Sequence, residues 1–231
     1  MKRWQLTKTI KEQFATSGLK PSARLEVLNL LLELGQWLKK HKVDVSFQTR
    51  NELYDYLNRQ IIGNSQPIDY LEFGVWYGRS IAYWSSINRH PDSRFFGFDT
   101  FEGLPENWRT FTTVLPSGTF SAKGKLPDVE DSRVSFVKGL FQETLPAFLA
   151  DFQPAHRLVV NCDADLYTST LFVLATLNPV LIPGSIVIFD EFSTVHEFRA
   201  FRDFTQSFMR RYRVLASADR FYLRMALEFL V

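Results

Sequence analysis

Four acids, Asp163, Asp165, Asp190 and Glu191, sit just past two apolar runs at residues 157–162 and 184–189. Each run reads as a buried strand with an acid at its carboxyl end. If the strands are neighbours, the carboxylates are drawn together, because adjacent strands lie ~4.8 Å apart. Crowded carboxylates at an apolar sheet end require a cation or protons to neutralise them. An all-oxygen donor set suits a hard divalent ion such as Mg²⁺. On this reading Asp163, Asp190 and Glu191 are metal ligands. Plainer roles stand beside it. Asp163 could hold a ligand's amino group, Asp165 could cap a helix starting near residue 168, and Glu191 could be a solvated loop acid.

A second constellation lies upstream. Residues 68–80 run Ile-Asp-Tyr-Leu-Glu-Phe-Gly-Val-Trp-Tyr-Gly-Arg-Ser. This is a short strand, a turn hinged on Gly74 and Gly78, and a helix start. Ser80 falls in the first helical turn, where free N–H groups and the helix dipole attract anions. Asp99 closes the next apolar run, residues 94–99. A carboxylate there can accept hydrogen bonds from both hydroxyls of a ribose. Together these features suit a nucleoside-containing cofactor with an anionic tail.

The elements that must position these residues follow from the pattern. Beyond residue 68, strands at 68–74, 94–99, 133–138, 157–162 and 184–189 alternate with helices at 79–89, 142–151, 168–177 and 195–210. Near-continuous apolar strands between helices predict an α/β, Rossmann-like, doubly wound sheet that is mostly parallel. Two closing strands joined at residues 217–220 add an antiparallel C-terminal strand. Ligands of such sheets bind at the carboxyl ends of the strands. Gly74, Asp99, Gly139, Asp163 and Asp190 then share one rim. Residues 1–66 read as an N-terminal helical extension and 67–231 as the ligand-binding domain. Ser22 is the expected cap of a helix reaching Lys40, whose broad leucine stripe suggests a homodimer through the N-terminal helices. Thr194 and Glu197 have capping-box spacing. Residues 106–130, rich in Gly, Pro and aromatics, are a candidate lid.

Composition narrows the class. The 231 residues are 45% hydrophobic, enough for one sizeable core. With 27 basic and 25 acidic residues, the net charge of +2 offers no electrostatic case for nucleic acid. Cys162 is the only cysteine, which removes disulfides and Cys-based zinc sites. No apolar stretch reaches membrane-spanning length, and residues 1–5 lack a signal-peptide core, so a cytoplasmic protein is expected.

Five ordered motifs carry a resemblance: Glu72-Phe-Gly-Val-Trp76, Asp99-Thr-Phe-Glu-Gly-Leu-Pro105, Lys138-Gly-Leu-Phe-Gln-Glu-Thr-Leu-Pro146, Asp163-Ala-Asp-Leu-Tyr-Thr-Ser-Thr170 and Ile188-Phe-Asp-Glu-Phe192. The chain resembles class I S-adenosylmethionine-dependent methyltransferases, and within them the macrocin O-methyltransferase family. The resemblance spans residues 68 to about 210 and implies a seven-stranded sheet with its last strand reversed. It implies that Glu72, Gly74, Trp76, Gly78 and Ser80 hold the methionine end of S-adenosyl-L-methionine. Asp99 would bind the ribose beside Thr100 and Phe101, and Gly139, Leu140 and Phe141 would flank the adenine. Asp163 would serve both the cofactor and, with Asp190 and Glu191, a divalent metal that activates a hydroxyl on a small-molecule acceptor. The lysine base of catechol-type relatives is absent from Ala164-Asp165-Leu166-Tyr167. Asp165 and His196 are the alternative bases of a metal-independent enzyme. Arg79 could pair with the methionine carboxylate. A nicotinamide-binding oxidoreductase is the competing class, although its Gly-x-Gly-x-x-Gly turn is missing.

Overall fold

The computed structural model describes residues 3–18, 20, 22–110 and 112–230. Helices α1 (Arg3–Thr16) and α2 (Ala23–Lys40) come first. The Ser22 hydroxyl caps α2 as expected, accepting the Leu25 N–H at 3.4 Å. Strand β1 (Ser46–Phe47) precedes α3 (Arg50–Tyr56), which opens on a capping box between Thr49 and Glu52. Helix α3 runs on into a π-helical turn at Leu57–Ile62.

The alternating region then follows the predicted order. Strand β2 (Ile68–Phe73), helix α4 (Arg79–Ile87), strand β3 (Arg94–Asp99) and the ribbon strands β4 (Trp108–Arg109) and β5 (Val114–Leu115) come in succession. Next are β6 (Val134–Lys138), α5 (Phe141–Asp151), β7 (Arg157–Cys162), α6 (Tyr167–Leu177), β8 (Ile186–Phe189), α7 (His196–Ser207), β9 (Tyr212–Ala218) and β10 (Arg224–Phe229).

The main sheet runs in the order β1-β9-β10-β8-β7-β2-β3-β6, with β10 antiparallel to both its neighbours. The doubly wound architecture and reversed last strand are therefore present. The sheet has eight strands rather than the seven expected, because two-residue β1 pairs in parallel with β9. The strand order reverses around β2, with β3 on one side and β7 on the other. That crevice is where a doubly wound sheet holds its ligand.

Alternating side chains feed two cores. Leu71, Phe73, Val160 and Val187 pack under α2, α5, α6 and α7. Tyr70, Val159 and Ile188 pack under α3 and α4, with Leu53, Tyr54 and Leu57 fully buried. Glu72 follows Tyr70 on this second face by the two-residue strand period. No helix among the described residues is long and apolar enough to cross a membrane.

Candidate active site

The carboxyl ends of β2, β3, β7 and β8 open on one cavity of about 260 Å³. Its wall includes Gly74, Trp76, Ser80, Asp99, Thr100, Leu140, Phe141, Asp163, Asp165, Asp190 and Glu191. Glu72, Gly78, Phe101, Gly139 and His196 lie outside the wall.

The glycine turn is shaped by close approach. Gly74 has φ +92°, and a Cβ there would sit 1.8 Å from the Asp163 carbonyl oxygen. Only glycine lets the ends of β2 and β7 meet so closely. Gly78, at φ +74°, precedes α4, and a Cβ on it would meet Pro127 at 2.7 Å. Gly139 serves packing against Thr144 in the same manner.

Asp99 does more than face the cavity. Its Oδ2 accepts the N–H groups of Val75 and Trp76 at 2.7 and 2.8 Å, and its Oδ1 accepts that of Phe101 at 2.7 Å. The carboxylate thus staples the glycine turn to the loop after β3. Of its roughly four acceptor positions, about one remains for a ligand. Phe101 is buried against Phe136 and contributes its backbone N–H rather than its ring. Thr100 turns its hydroxyl to the Gly103 carbonyl at 3.1 Å.

Glu72 lies behind the cavity wall. It accepts the Tyr70 hydroxyl at 2.5 Å, and burial pushes its carboxyl up to about 8. Burial first, and then Asp190 and Asp165, hold the Asp163 carboxyl well above the usual range. Burial and the nearby Glu191 raise Asp165 to about 7, and burial and Asp190 raise Glu191 to about 7. Asp165 is held at φ +57° in a three-residue turn closed by the Leu166 N–H on the Ala164 carbonyl at 2.5 Å. Its carboxyl lines the cavity with no hydrogen bond to any described residue. Trp76, Phe101 and Val195 share this left-handed backbone around the site. Such strain in non-glycine residues concentrates where a site over-determines the chain.

The expected metal set is not assembled. Asp190 accepts Nε and Nη2 of Arg224 at 2.7 and 3.0 Å, and Arg50 lies 3.8 Å from its Oδ1. A bidentate guanidinium supplies the compensating charge a cation would otherwise bring. Among the described residues no three His, Cys, Asp or Glu side chains are grouped to hold an ion. Asp163, Asp190 and Glu191 line one cavity without fitting the metal read from their sequence.

His196 also departs from its expected role as a base. Its Nδ1 accepts the Tyr167 N–H at 3.3 Å and its Nε2 donates to the Arg109 carbonyl at 2.6 Å. Both nitrogens are engaged, and burial lowers its proton affinity. The neutral ring pins the β4–β5 ribbon to α6 and α7. The Thr194–Glu197 capping box does not form. Val195, at φ +76°, precedes α7, and Glu197 turns inward to accept the Glu191 N–H at 2.9 Å. Its other oxygen is buried without a partner among the described residues.

Two arginines of the site escaped sequence reasoning. Arg224 lies 34 residues beyond Asp190, and only the β8–β10 pairing reveals the contact. Arg50 left a local trace: it follows the cap Thr49, in a first turn where the helix dipole disfavours a cation.

Comparison with known proteins agrees with this geometry. Residues 48–217 match the sequence profile of the macrocin O-methyltransferase (TylF) family. A tetracenomycin-type 4′-O-methyltransferase of Streptomyces olivaceus, named for 8-demethyl-8-(2,3-dimethoxy-alpha-L-rhamnosyl)-tetracenomycin-C, is 30% identical over 62% of each chain. Demethyldecarbamoylnovobiocin O-methyltransferase of Streptomyces niveus is 29% identical over 61% of each. The chain thus spans about three-fifths of the length of these relatives. Among solved structures, the calicheamicin methyltransferase CalS11 has a TM-score of 0.60 at 24% identity, covering 91% of this chain and 94% of its own. The O-methyltransferase NovP has a TM-score of 0.59 at 23% identity, covering 79% and 80%. These structural likenesses show the fold. With the family profile spanning most of the chain, the protein belongs to the macrocin O-methyltransferase family.

Proposed function

We propose that the chain is an S-adenosylmethionine-dependent methyltransferase that methylates a hydroxyl of a small molecule such as a sugar or natural product. The observation that carries this is the convergence of the glycine turn, Asp99, Leu140–Phe141 and the acid group on one cavity. Family membership supports it, and so do the acceptors named in the relatives. The donor set suits the cofactor. Leu140 and Phe141 offer an apolar wall for adenine, Asp99 has an acceptor position for ribose, and the turn from Gly74 to Ser80 receives the methionine end. Acids around Asp163 favour a sulfonium and an ammonium.

Methyl transfer forms a carbon–oxygen bond as the carbon–sulfur bond breaks, and a neutral thioether leaves. Little acid catalysis is needed on the leaving side; the protein must align the partners and take the hydroxyl proton. Asp165 is our base. It faces the cavity, is free of other hydrogen bonds among the described residues, and with proton affinity near 7 is matched to neutral pH. The Arg224 clamp on Asp190 favours this metal-independent route over metal assistance.

Calorimetric titration tests the cofactor. S-adenosylhomocysteine should bind and NAD should not; binding of NAD alone would favour an oxidoreductase. Exposed Leu25, Leu28 and Leu32 on α2 support self-association through the N-terminal helices. A monomer in sedimentation at high concentration would rule that out.

A further inference from the structure

Arg50 is unusual among the cations of the site. It stands at the start of α3, on the sheet face that also carries Tyr54, Tyr70 and Glu72, and its side chain lines the cavity. Its nearest charge is Asp190, at 3.8 Å, beyond hydrogen-bond distance. Asp190 is already bound through two nitrogens of Arg224. Arg50 donates no hydrogen bond to any described residue, although a guanidinium carries five donors. Its side chain is 29% exposed, half-buried along the cavity wall. Those donors open on the cavity, where a carboxylate ligand can accept two of them at once. The helix dipole disfavours an unpaired cation at this position, in the first turn of α3.

The acids around Arg50 are Asp190, 3.8 Å away, Asp163 on the same cavity wall, and Glu72, buried behind the wall and protonated up to about pH 8. The wall therefore presents a guanidinium and the carboxyl groups of Asp163, Asp165, Asp190 and Glu191 within one small volume. That pattern complements an α-amino-acid zwitterion, with its carboxylate on the guanidinium and its ammonium among the acids. Arg79 is the other cation of the wall, but it is exposed at the start of α4 and keeps its hydration.

We propose that Arg50 is a positioning residue that binds the carboxylate of the methionyl end of the cofactor. This rests on the reading of the cavity as a site for S-adenosylmethionine. A planar fork binding a carboxylate through two hydrogen bonds would fix the direction of the donor chain, and with it the line along which the methyl leaves.

The test pairs Arg50→Gln with a ligand lacking the carboxylate. S-adenosylmethionine and decarboxylated S-adenosylmethionine, which keeps the sulfonium and ammonium, are titrated into the parent protein and the variant. The expected result is a loss of about tenfold to a hundredfold in affinity for S-adenosylmethionine, as for one charge-assisted contact. Affinity for the decarboxylated ligand should be unchanged or slightly improved. Arg50→Lys should recover part of the loss. Equal weakening of both ligands, or no weakening of either, would overturn the assignment. If the parent protein binds neither ligand, the failure lies in the cofactor reading itself. Thermal melting of each variant identifies one that does not fold, in which case Arg50→Lys carries the comparison.

Discussion

Removing the Asp99 carboxylate should damage the protein before any ligand is added. Three backbone N–H groups converge on it, from Val75, Trp76 and Phe101, all within 2.8 Å. Hydrogen bonds to a charged acceptor contribute ~1.5–3 kcal/mol each. The Trp76 N–H is near solvent and can turn to water, whereas those of Val75 and Phe101 are partly enclosed. Asp99→Ala should therefore cost ~3–6 kcal/mol through the two enclosed groups. At ~2–4 °C per kcal/mol for a chain of this size, the melting temperature should fall by ~10 °C or more. Asp99→Asn separates the contributions. Its oxygen can keep Val75 and Trp76, but its amide then places a donor against the Phe101 N–H, so an intermediate loss is expected. Calorimetric melting of the ligand-free proteins reads both. Melting of the alanine variant within ~2 °C of the parent would refute the staple, and would leave Asp99 as a residue that serves the ligand alone.

Three further perturbations follow from the geometry. Gly74→Ala should cost more than ~4 kcal/mol in denaturant unfolding, since its Cβ meets the Asp163 carbonyl at 1.8 Å; a near-parental midpoint would show that the β2–β7 approach relaxes freely. Glu72 binds its proton up to about pH 8 when folded, against 4.5 when unfolded. The folded state thus holds the extra proton across that window, and stability falls as pH rises from about 4.5 to 8, by at most ~5 kcal/mol. Glu72→Gln should flatten this part of the pH dependence in unfolding curves, and an unchanged slope would count against it. Asp165→Asn should lower kcat by ~10²–10⁴ while leaving S-adenosylhomocysteine affinity near parental. In the parent, turnover should rise through about pH 7 and survive a chelator. Loss of turnover in chelator, restored by Mg²⁺, would return the metal to the mechanism.

Much of the frame was legible because apolar runs and their acid stops are local signals. The strand at Arg157–Cys162 has the boundaries read from its composition, and β2 and β3 differ from expectation by at most one residue. The gathering of Gly74, Asp99, Asp163 and Asp190 at one opening follows from the rule for parallel sheets. What the acids do there was less legible. A carboxylate at a strand end looks the same in sequence whether it meets a ribose, a metal or a backbone N–H, and Asp99 spends most of its capacity on the last. The Asp190–Arg224 pair depends on antiparallel register across 34 residues, which no local pattern encodes. Glu197 matched a capping box in spacing, but the left-handed turn at Val195 sends it into the interior. The long stretch after Asp99 concealed the short β4–β5 ribbon, whose position depends on His196.

A crystal structure with bound S-adenosylhomocysteine tests the central claim most directly. The adenine should lie against Leu140 and Phe141, the ribose at Asp99, and the amino-acid end between the Gly74 turn and Arg50. Product bound elsewhere, or lying in the cavity with its ends reversed, would contradict it.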